Sequence, residues 1–566
     1  LPDPLDGQPE RVQEAMLHGL SSTSYPLTVR ARAEENRFLG TALGLAAAAF
    51  VLYLGAASVR DFWSPDEPDF AEAVREMKER GSFLLPYQNG VPYSEKPILF
   101  YWAVAATLPL GGGDVDPVAA RVPSALGAAG LVFGAAAVAG RRGGRREAAL
   151  AGAMTATASI VFWQGQFLQI DAMFSALVFA ALCAQLMVEE DGVRAERWVW
   201  AFHILLPLAV LTKGPLALVL TGLVALVRAV WKRSLSPILD LAPIRGAAIF
   251  VAIVVPWYVL ASRAGGPAYT YDLIVNQNWN RFFTAFDHIQ PWWFYLESIW
   301  GDFSPWTVLA IAAPFVLAAS GLFAARPELL FSMQVVGAVF IFLSSSGSKQ
   351  GKYLLVVYPF AAVLAAAAVV ALERRGRAGL RWVRRYLLLC AAIVFGAGAA
   401  LIPVAVRRAP AFRELAPLIA IPLVLGGAGT AIVLFRRRKE AAPAVLALAA
   451  GLGATEACAA LAIFPAIDSL KTGRPFYERI APVVRGDRPL AYFGGTYRCY
   501  PILVLRRRTE HFRKEADLAA WLQRTPAGYV LADESESRSW TDPLLKGLKV
   551  VDRQPVGGDT AQLLSR

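Results

Sequence analysis

The chain has 566 residues, of which 56% are apolar. Soluble domains hold roughly 45–50%, so an ordinary soluble globular protein is excluded. The net charge of +12 comes from arginines and lysines clustered in short loops between apolar runs, the pattern of cytoplasmic loops and not of a nucleic-acid-binding face. Cys183, Cys390, Cys458 and Cys499 lie far apart with no Cys-x-x-Cys, which excludes a disulfide framework.

Residues 1–37 are polar and read as a cytoplasmic leader, partly disordered. Arg30, Arg32 and Arg37 precede the first apolar run, 38–59, and hold its start inside. That run follows a long polar leader without a small-residue cleavage motif, so it is expected to be a retained helix. It delivers an outer loop over 60–121. Within this loop Phe70, Val74 and Met77 recur at helical spacing, which predicts an amphipathic helix over 68–80 along the membrane surface. The run 98–110 is too short to span and reads as a re-entrant or juxtamembrane helix.

Further spans are expected at 122–140, 148–164, 172–188, 199–211, 216–231, 246–261, 305–324, 329–344, 354–372, 386–406, 415–435 and 442–463. With the first, that makes about thirteen. Most ends assigned to the inside carry basic clusters, Arg141 to Arg146 and Arg436 to Lys439 among them, whereas Glu189 and Glu190 form an acidic turn that breaks the pattern. The membrane domain is thus 38–464, and the tail 465–566 is polar enough to fold in water. There, 490–493, 502–505 and 529–532 read as strands and 516–524 as a helix, predicting a small outer α/β domain. No repeat or low-complexity segment is evident.

This topology carries Asp66, Glu67, Glu95, Lys96, Asp171, Lys213, His288, Lys349 and Lys352 to the outer face from separate stretches of chain. Ionisable groups near a bilayer are costly and mark function. Carboxylates suit general-base work or a metal, and lysines suit a phosphate. Each also has a plainer reading: Lys213 and Lys352 can snorkel at helix ends, Asp171 can cap a helix, and His288 is one histidine in a loop without regular zinc-ligand spacing.

Asp66-Glu67 with Tyr93-Ser94-Glu95-Lys96-Pro97 resembles the first outer loop of the ArnT-like and protein-mannosyltransferase-like family of GT-C glycosyltransferases, which use polyprenyl-phosphate sugars. Gln169-Ile170-Asp171, Leu211 to Pro215, Asn280-Arg281-Phe282 with His288 and Pro291 to Tyr295, and Ser348 to Tyr353 with Tyr358-Pro359 resemble further motifs of that family in the same order. The likeness covers roughly residues 38–372. It implies a GT-C fold, Asp66 as catalytic carboxylate with Asp171 as a second and Glu67 beside it, and lipid-phosphate binding by Lys96, Lys213 and Lys352. Tyr93, Arg281, Lys349 and Tyr353 join them as substrate-binding residues, and Glu95 with His288 would match a metal-binding pair for a divalent ion such as Zn, Mg or Mn. One departure stands out: where ArnT-like sequences have an arginine and a tyrosine, three and four places after the catalytic aspartate, this chain has Asp69 and Phe70.

The expected function is transfer of a sugar, with inversion, from an undecaprenyl-type phosphate to lipid A or another envelope glycan at the periplasmic face of the bacterial inner membrane. Asp66 would take the proton of a hydroxyl acceptor, or orient an acceptor phosphate that is already ionised, and the lysines would stabilise the leaving phosphate. No nucleotide cofactor is expected, since neither a Walker nor a Rossmann glycine motif occurs. A protein Ser/Thr acceptor is the alternative within the class. A lipid-linked sugar flippase is the alternative outside it, disfavoured by charges that sit at one face and not at mid-span.

Overall fold

A computed structural model describes residues 36–280, 288–484, 488–494 and 499–566. The expected leader up to residue 35, and Arg281, lie outside the described residues. The protein is mainly helical, because in hydrocarbon each backbone group must be paired within its own segment. Every expected apolar run after the leader falls on helix. Among the described residues nine helices are long and apolar enough to cross a membrane, or ten if the bent pair Phe294–Asp302 and Thr307–Ala319 is one span, against the thirteen expected. The difference arises partly in one place. The helical stretch Pro117–Ala156 is two helices that meet at Gly144, whose φ 71° and ψ −170° are not helical. A Cβ on Gly140 would stand 3.1 Å from that of Ala148, and a Cβ on Gly152 3.1 Å from that of Ala136. Positions equally distant from Gly144 therefore face each other, and the chain folds back there as a helical hairpin whose turn is the arginine cluster.

The far ends of the spans meet in one charged patch. Arg146 pairs with Glu373 at 2.8 Å, Arg142 with Glu328 at 3.5 Å, and Arg141 with Glu190 at 3.3 Å. Glu189 is bonded by Arg228 and by Lys232. The acidic turn that broke the charge pattern thus lies among the arginines and lysines of its neighbours and is neutralised by them. At the opposite side these helices begin or end with Asp171, Leu216 and Leu343, and Lys352 lies in the 3₁₀ turn Gly351–Leu354 before helix Val357–Arg374; all four border the cavity described below.

The helix expected over 68–80 runs Asp66–Glu79, with its apolar face against protein. Nine of its fourteen residues are buried, charged Glu67, Glu72, Arg75 and Glu76 included. It is packed between helix Leu99–Ala105, the small hairpin Tyr87–Gln88 and Val91–Pro92, and helix Tyr500–Leu505 of the tail. The amphipathic spacing is real; what covers the helix is protein. Ile98 to Leu110 folds as helix Leu99–Ala105 and a 3₁₀ turn Leu108–Gly111.

The last long helix, Ala442–Lys471, overruns the expected boundary at 464 and leads through helix Arg474–Val484 into the tail domain. Its sheet has the order Glu510–Phe512, Leu490–Phe493, Tyr529–Asp533, Asp559–Ser565, Lys549–Val556; the first three strands are parallel and the last two pair antiparallel. The segment read as a strand at 502–505 is instead part of helix Tyr500–Leu505, with Pro501 in its first turn. A short apolar run does not by itself distinguish a strand from a buried helix. Side-chain alternation splits the sheet: Leu490, Tyr492, Tyr529 and Leu531 join the core shared with the membrane domain, while Ala491, Phe493, Val530 and Ala532 pack with Leu518, Trp521 and Leu522 of helix Glu515–Arg524.

Candidate functional site

A cavity of about 1160 Å³ opens at the ends of the spans opposite the arginine patch. Its lining is partly charged, with Asp66, Asp69, Glu95, Lys96, Asp171, Lys213 and Lys352, and partly apolar, with Leu216, Val219, Ile274, Phe342 and Leu343.

Asp66 opens helix Asp66–Glu79, and its carboxylate accepts the Gln169 amide at 2.7 Å and lies 3.6 Å from the Lys352 ammonium. Asp171 opens helix Ile170–Glu190 and meets Lys213 at 2.5 Å and Lys352 at 3.8 Å. Lys352 therefore bridges the two carboxylates. Burial alone would lower its pKa, but Asp171 and Asp66 hold it above the usual lysine value. The two aspartates differ in access: the Asp66 side chain is 44% exposed and that of Asp171 only 4%. A sealed carboxylate saturated by two lysines orients them; an open carboxylate can meet a substrate. Lys213 closes helix Ala195–Lys213 and lies 4.5 Å from the Tyr353 ring centroid. The next residue, Gly214, has φ +96°, and a Cβ there would stand 2.9 Å from the Asn278 side chain, so this turn requires glycine.

Tyr93 and Lys96 border the cavity on the loop after the small hairpin, where the Ser94 hydroxyl donates to Asp272 at 2.5 Å and fastens that loop to the segment Asp272–Asn280. Glu95 and His288 border the cavity too and are both exposed. Among the described residues no group of three His, Cys, Asp or Glu side chains is arranged to hold a metal ion, so the pair alone falls short of the three or four protein ligands of a resident zinc.

Two expected site residues stand elsewhere. Glu67 points away from the cavity into the protein, with no exposed side-chain surface. It accepts from Arg60 at 2.6 Å, from Arg121 at 2.7 Å, and from the backbone N–H groups of Trp63 and Leu168 at 2.7 Å each. With both oxygens so occupied, and away from the cavity lining, it anchors the helix that presents Asp66. Lys349 is likewise buried. Its ammonium donates to the carbonyls of Gln290 and Ser346, and its backbone N–H to that of His288 at 3.0 Å, so it ties the His288 loop to the Ser346–Ser348 turn. The residues that sequence reasoning passed over are Gln169, quoted only as a neighbour of Asp171, and Asp69, noted only as a departure.

Residues 39–264 match the dolichyl-phosphate-mannose-protein mannosyltransferase family. Over 335 residues the chain is 31% identical to an undecaprenyl phosphate-α-4-amino-4-deoxy-L-arabinose arabinosyl transferase of Shewanella sediminis, covering 58% of this chain and 59% of that protein. A protein of the same description from Pseudomonas savastanoi is 28% identical over 388 residues, 67% of this chain and 70% of the relative. The match to the first of these thus spans little more than half of that relative's length. In fold, the crystal structure of ArnT from Cupriavidus metallidurans bound to undecaprenyl phosphate superposes with a TM-score of 0.74 at 22% identity, over 92% of this chain and 97% of that one. The likeness carried by the ordered motifs is borne out as a similarity: the chain resembles these proteins in sequence over part of its length and shares the fold of the ArnT crystal structure.

Proposed function

We propose that this protein is an inverting membrane glycosyltransferase that moves a sugar from a polyprenyl phosphate to an envelope acceptor such as lipid A, at the periplasmic face of the inner membrane. The observation that carries this reading is the mixed lining of the cavity. Lysines and carboxylates border it together with apolar side chains of the membrane domain. A phosphate joined to a long isoprenoid needs both. The relatives, named as undecaprenyl phosphate-α-4-amino-4-deoxy-L-arabinose arabinosyl transferases, support the donor class. The arginine patch at the opposite end supports a cavity facing out of the cytoplasm.

The donor phosphate would lie against Lys96, Lys213 and Lys352, with Asp171 holding the latter two in place. The acceptor hydroxyl oxygen attacks the anomeric carbon and its proton passes to Asp66, the open carboxylate. The bond from that carbon to the phosphate oxygen breaks, and the polyprenyl phosphate leaves with the electron pair, its growing charge met by the lysines. One displacement inverts the anomeric centre.

The match to the mannosyltransferase family favours one second reading, a Ser/Thr hydroxyl of a protein as acceptor. Both are tested in proteoliposomes supplied with radiolabelled polyprenyl-phosphate sugars and either lipid A or secreted protein. A new covalent sugar linkage on lipid A is expected, and label that crosses the bilayer without forming a linkage would point to a flippase instead. Asp66→Asn keeps the size of the side chain but cannot accept a proton, so turnover should fall roughly 10²–10⁴-fold with donor binding kept. Wild-type turnover by this variant would leave Asp66 without a catalytic role.

A further inference from the structure

Helix Asp66–Glu79 shows the cavity a second acid, Asp69, one turn after Asp66. Side chains three apart on a helix lie on one side with about 5–6 Å between their Cβ atoms, close to the breadth of a single sugar ring. The two acids have opposite surroundings. Asp66 stands against the Lys352 ammonium and the Gln169 amide. Asp69 accepts the Cys499 backbone N–H at 3.3 Å and bonds the Cys499 thiol, and the charges that bear on it are those of Glu95 and Asp66, both negative. Tyr93 beside Glu95 and Tyr101 on helix Leu99–Ala105 complete the surroundings. Burial above all, with Glu95 and Asp66 adding to it, pushes the Asp69 carboxyl up to about 8 against the opposing hydrogen bonds from Cys499. At neutral pH it therefore keeps its proton and is a donor, although it remains partly accessible from the cavity.

We propose that Asp69 is a specificity-determining residue that hydrogen-bonds a hydroxyl on the far edge of the transferred sugar, and that Cys499 of the tail domain is its positioning residue. This rests on the transferase reading above. A sugar whose phosphate-bearing carbon sits between Asp66 and the lysines extends one ring breadth along the helix, which brings its opposite edge to Asp69. A ring lacking oxygen there leaves a buried donor unpaired, and sites built this way reject such analogues strongly. Ionisation of Asp69 removes the donor and sets a third carboxylate beside Asp66 and Glu95. Sugar recognition should therefore weaken as pH rises through about 8.

The test is KM and kcat against pH, from about pH 7 to about pH 9, for full-length protein in proteoliposomes. The donors are synthetic polyprenyl-phosphate monosaccharides and their far-edge deoxy analogues. Wild-type KM should rise across that range and be higher for the deoxy analogue. Asp69→Ala should raise KM roughly tenfold at neutral pH, the value of one good hydrogen bond. Asp69→Asn, which keeps a donor but cannot ionise, should raise KM only about threefold and lose the alkaline rise. Cys499→Ala should raise KM with kcat kept, and Cys499→Ser should restore part of the loss. A wild-type KM flat with pH, or Asp69→Asn as damaging as Asp69→Ala at every pH, would overturn the proposal while leaving the transferase reading intact. Failure of the wild type to turn over any of these donors would sink both.

Discussion

Among single residues, Glu67 and Asp66 share a peptide bond and have opposite fates. Both were candidates because acidic side chains beside a membrane are costly. The chain alone does not say which of two neighbouring carboxylates turns inward, since that depends on Arg60 and Arg121, the latter 54 positions away. Burial alone would raise the Glu67 pKa, but Arg121 and Arg60 hold it down at about 2, against an ordinary value of 4.5. A carboxylate depressed in the folded state contributes stability above its ordinary value and loses it as pH falls through the folded one. Part of the acid loss of stability should therefore fall between pH 4.5 and about 2. Glu67→Gln leaves two buried guanidinium groups underpaired and should cost about 3–5 kcal/mol at neutral pH. Thermal melting of the detergent-solubilised variant should show a lowered midpoint and a shallower acid dependence; unchanged melting would mean that Glu67 is not the anchor described. Asp66, Asp171, Lys96, Lys213 and Lys352 were legible because each sits in a short motif at the mouth of an apolar run. Lys349 sits in such a motif too, yet turns inward to backbone carbonyls, a partner class that no side-chain pattern reveals.

For the helices, apolar runs are easy to find because hydrocarbon demands them, and their ends are harder because packing decides those. The helical hairpin about Gly144 was legible as two apolar runs on either side of the arginine turn. The burial of helix Asp66–Glu79 comes instead from neighbours distant in sequence. So does the placement of helix Ile170–Glu190, which carries Asp171 at its start. It passes so close to Gly127 that a Cβ there would stand 2.6 Å from the Met173 backbone nitrogen and 2.7 Å from the Ala172 carbonyl carbon. These are backbone atoms that no rotamer change can move aside. Gly127→Ala should therefore push the first turn of that helix away and displace Asp171 from Lys213 and Lys352. The expected outcome is an expressed protein with at least tenfold weaker donor binding, as lost charge-assisted hydrogen bonds of about 1.5–3 kcal/mol imply. Gly130→Ala is the control, because its added methyl meets only the Ala176 Cβ at 3.8 Å, an ordinary contact. Equal donor binding in the two variants would refute the role of the Gly127 contact.

Across the whole molecule, the charge asymmetry of the sequence becomes two opposed ends, one where arginines meet Glu190, Glu328 and Glu373 and one where the cavity opens. A helix such as Ile170–Glu190, with 21 residues, reaches about 30 Å at 1.5 Å per residue, the thickness of the hydrocarbon core. The two ends must then lie on opposite sides of a membrane. The tail domain sits at the cavity end, where Tyr500 bonds the Phe62 carbonyl, Arg474 pairs with Asp61, and Asn89 and Thr509 exchange hydrogen bonds at 2.6 and 3.0 Å. Those contacts were not legible in the tail, whose strands could be read but whose partner surface lies some four hundred residues earlier. They fix a prediction for the whole protein. Ser82 and Arg145 are both exposed, the first near the cavity end and the second in the arginine turn. The native cysteines are buried or half-buried and set a low background. In intact cells Ser82→Cys should react with a membrane-impermeant maleimide, and Arg145→Cys should react only after the membrane is opened. Labelling of Arg145→Cys alone in intact cells would invert the orientation. It would also place the cavity on the cytoplasmic side, where the proposed transfer to lipid A at the periplasmic face cannot take place.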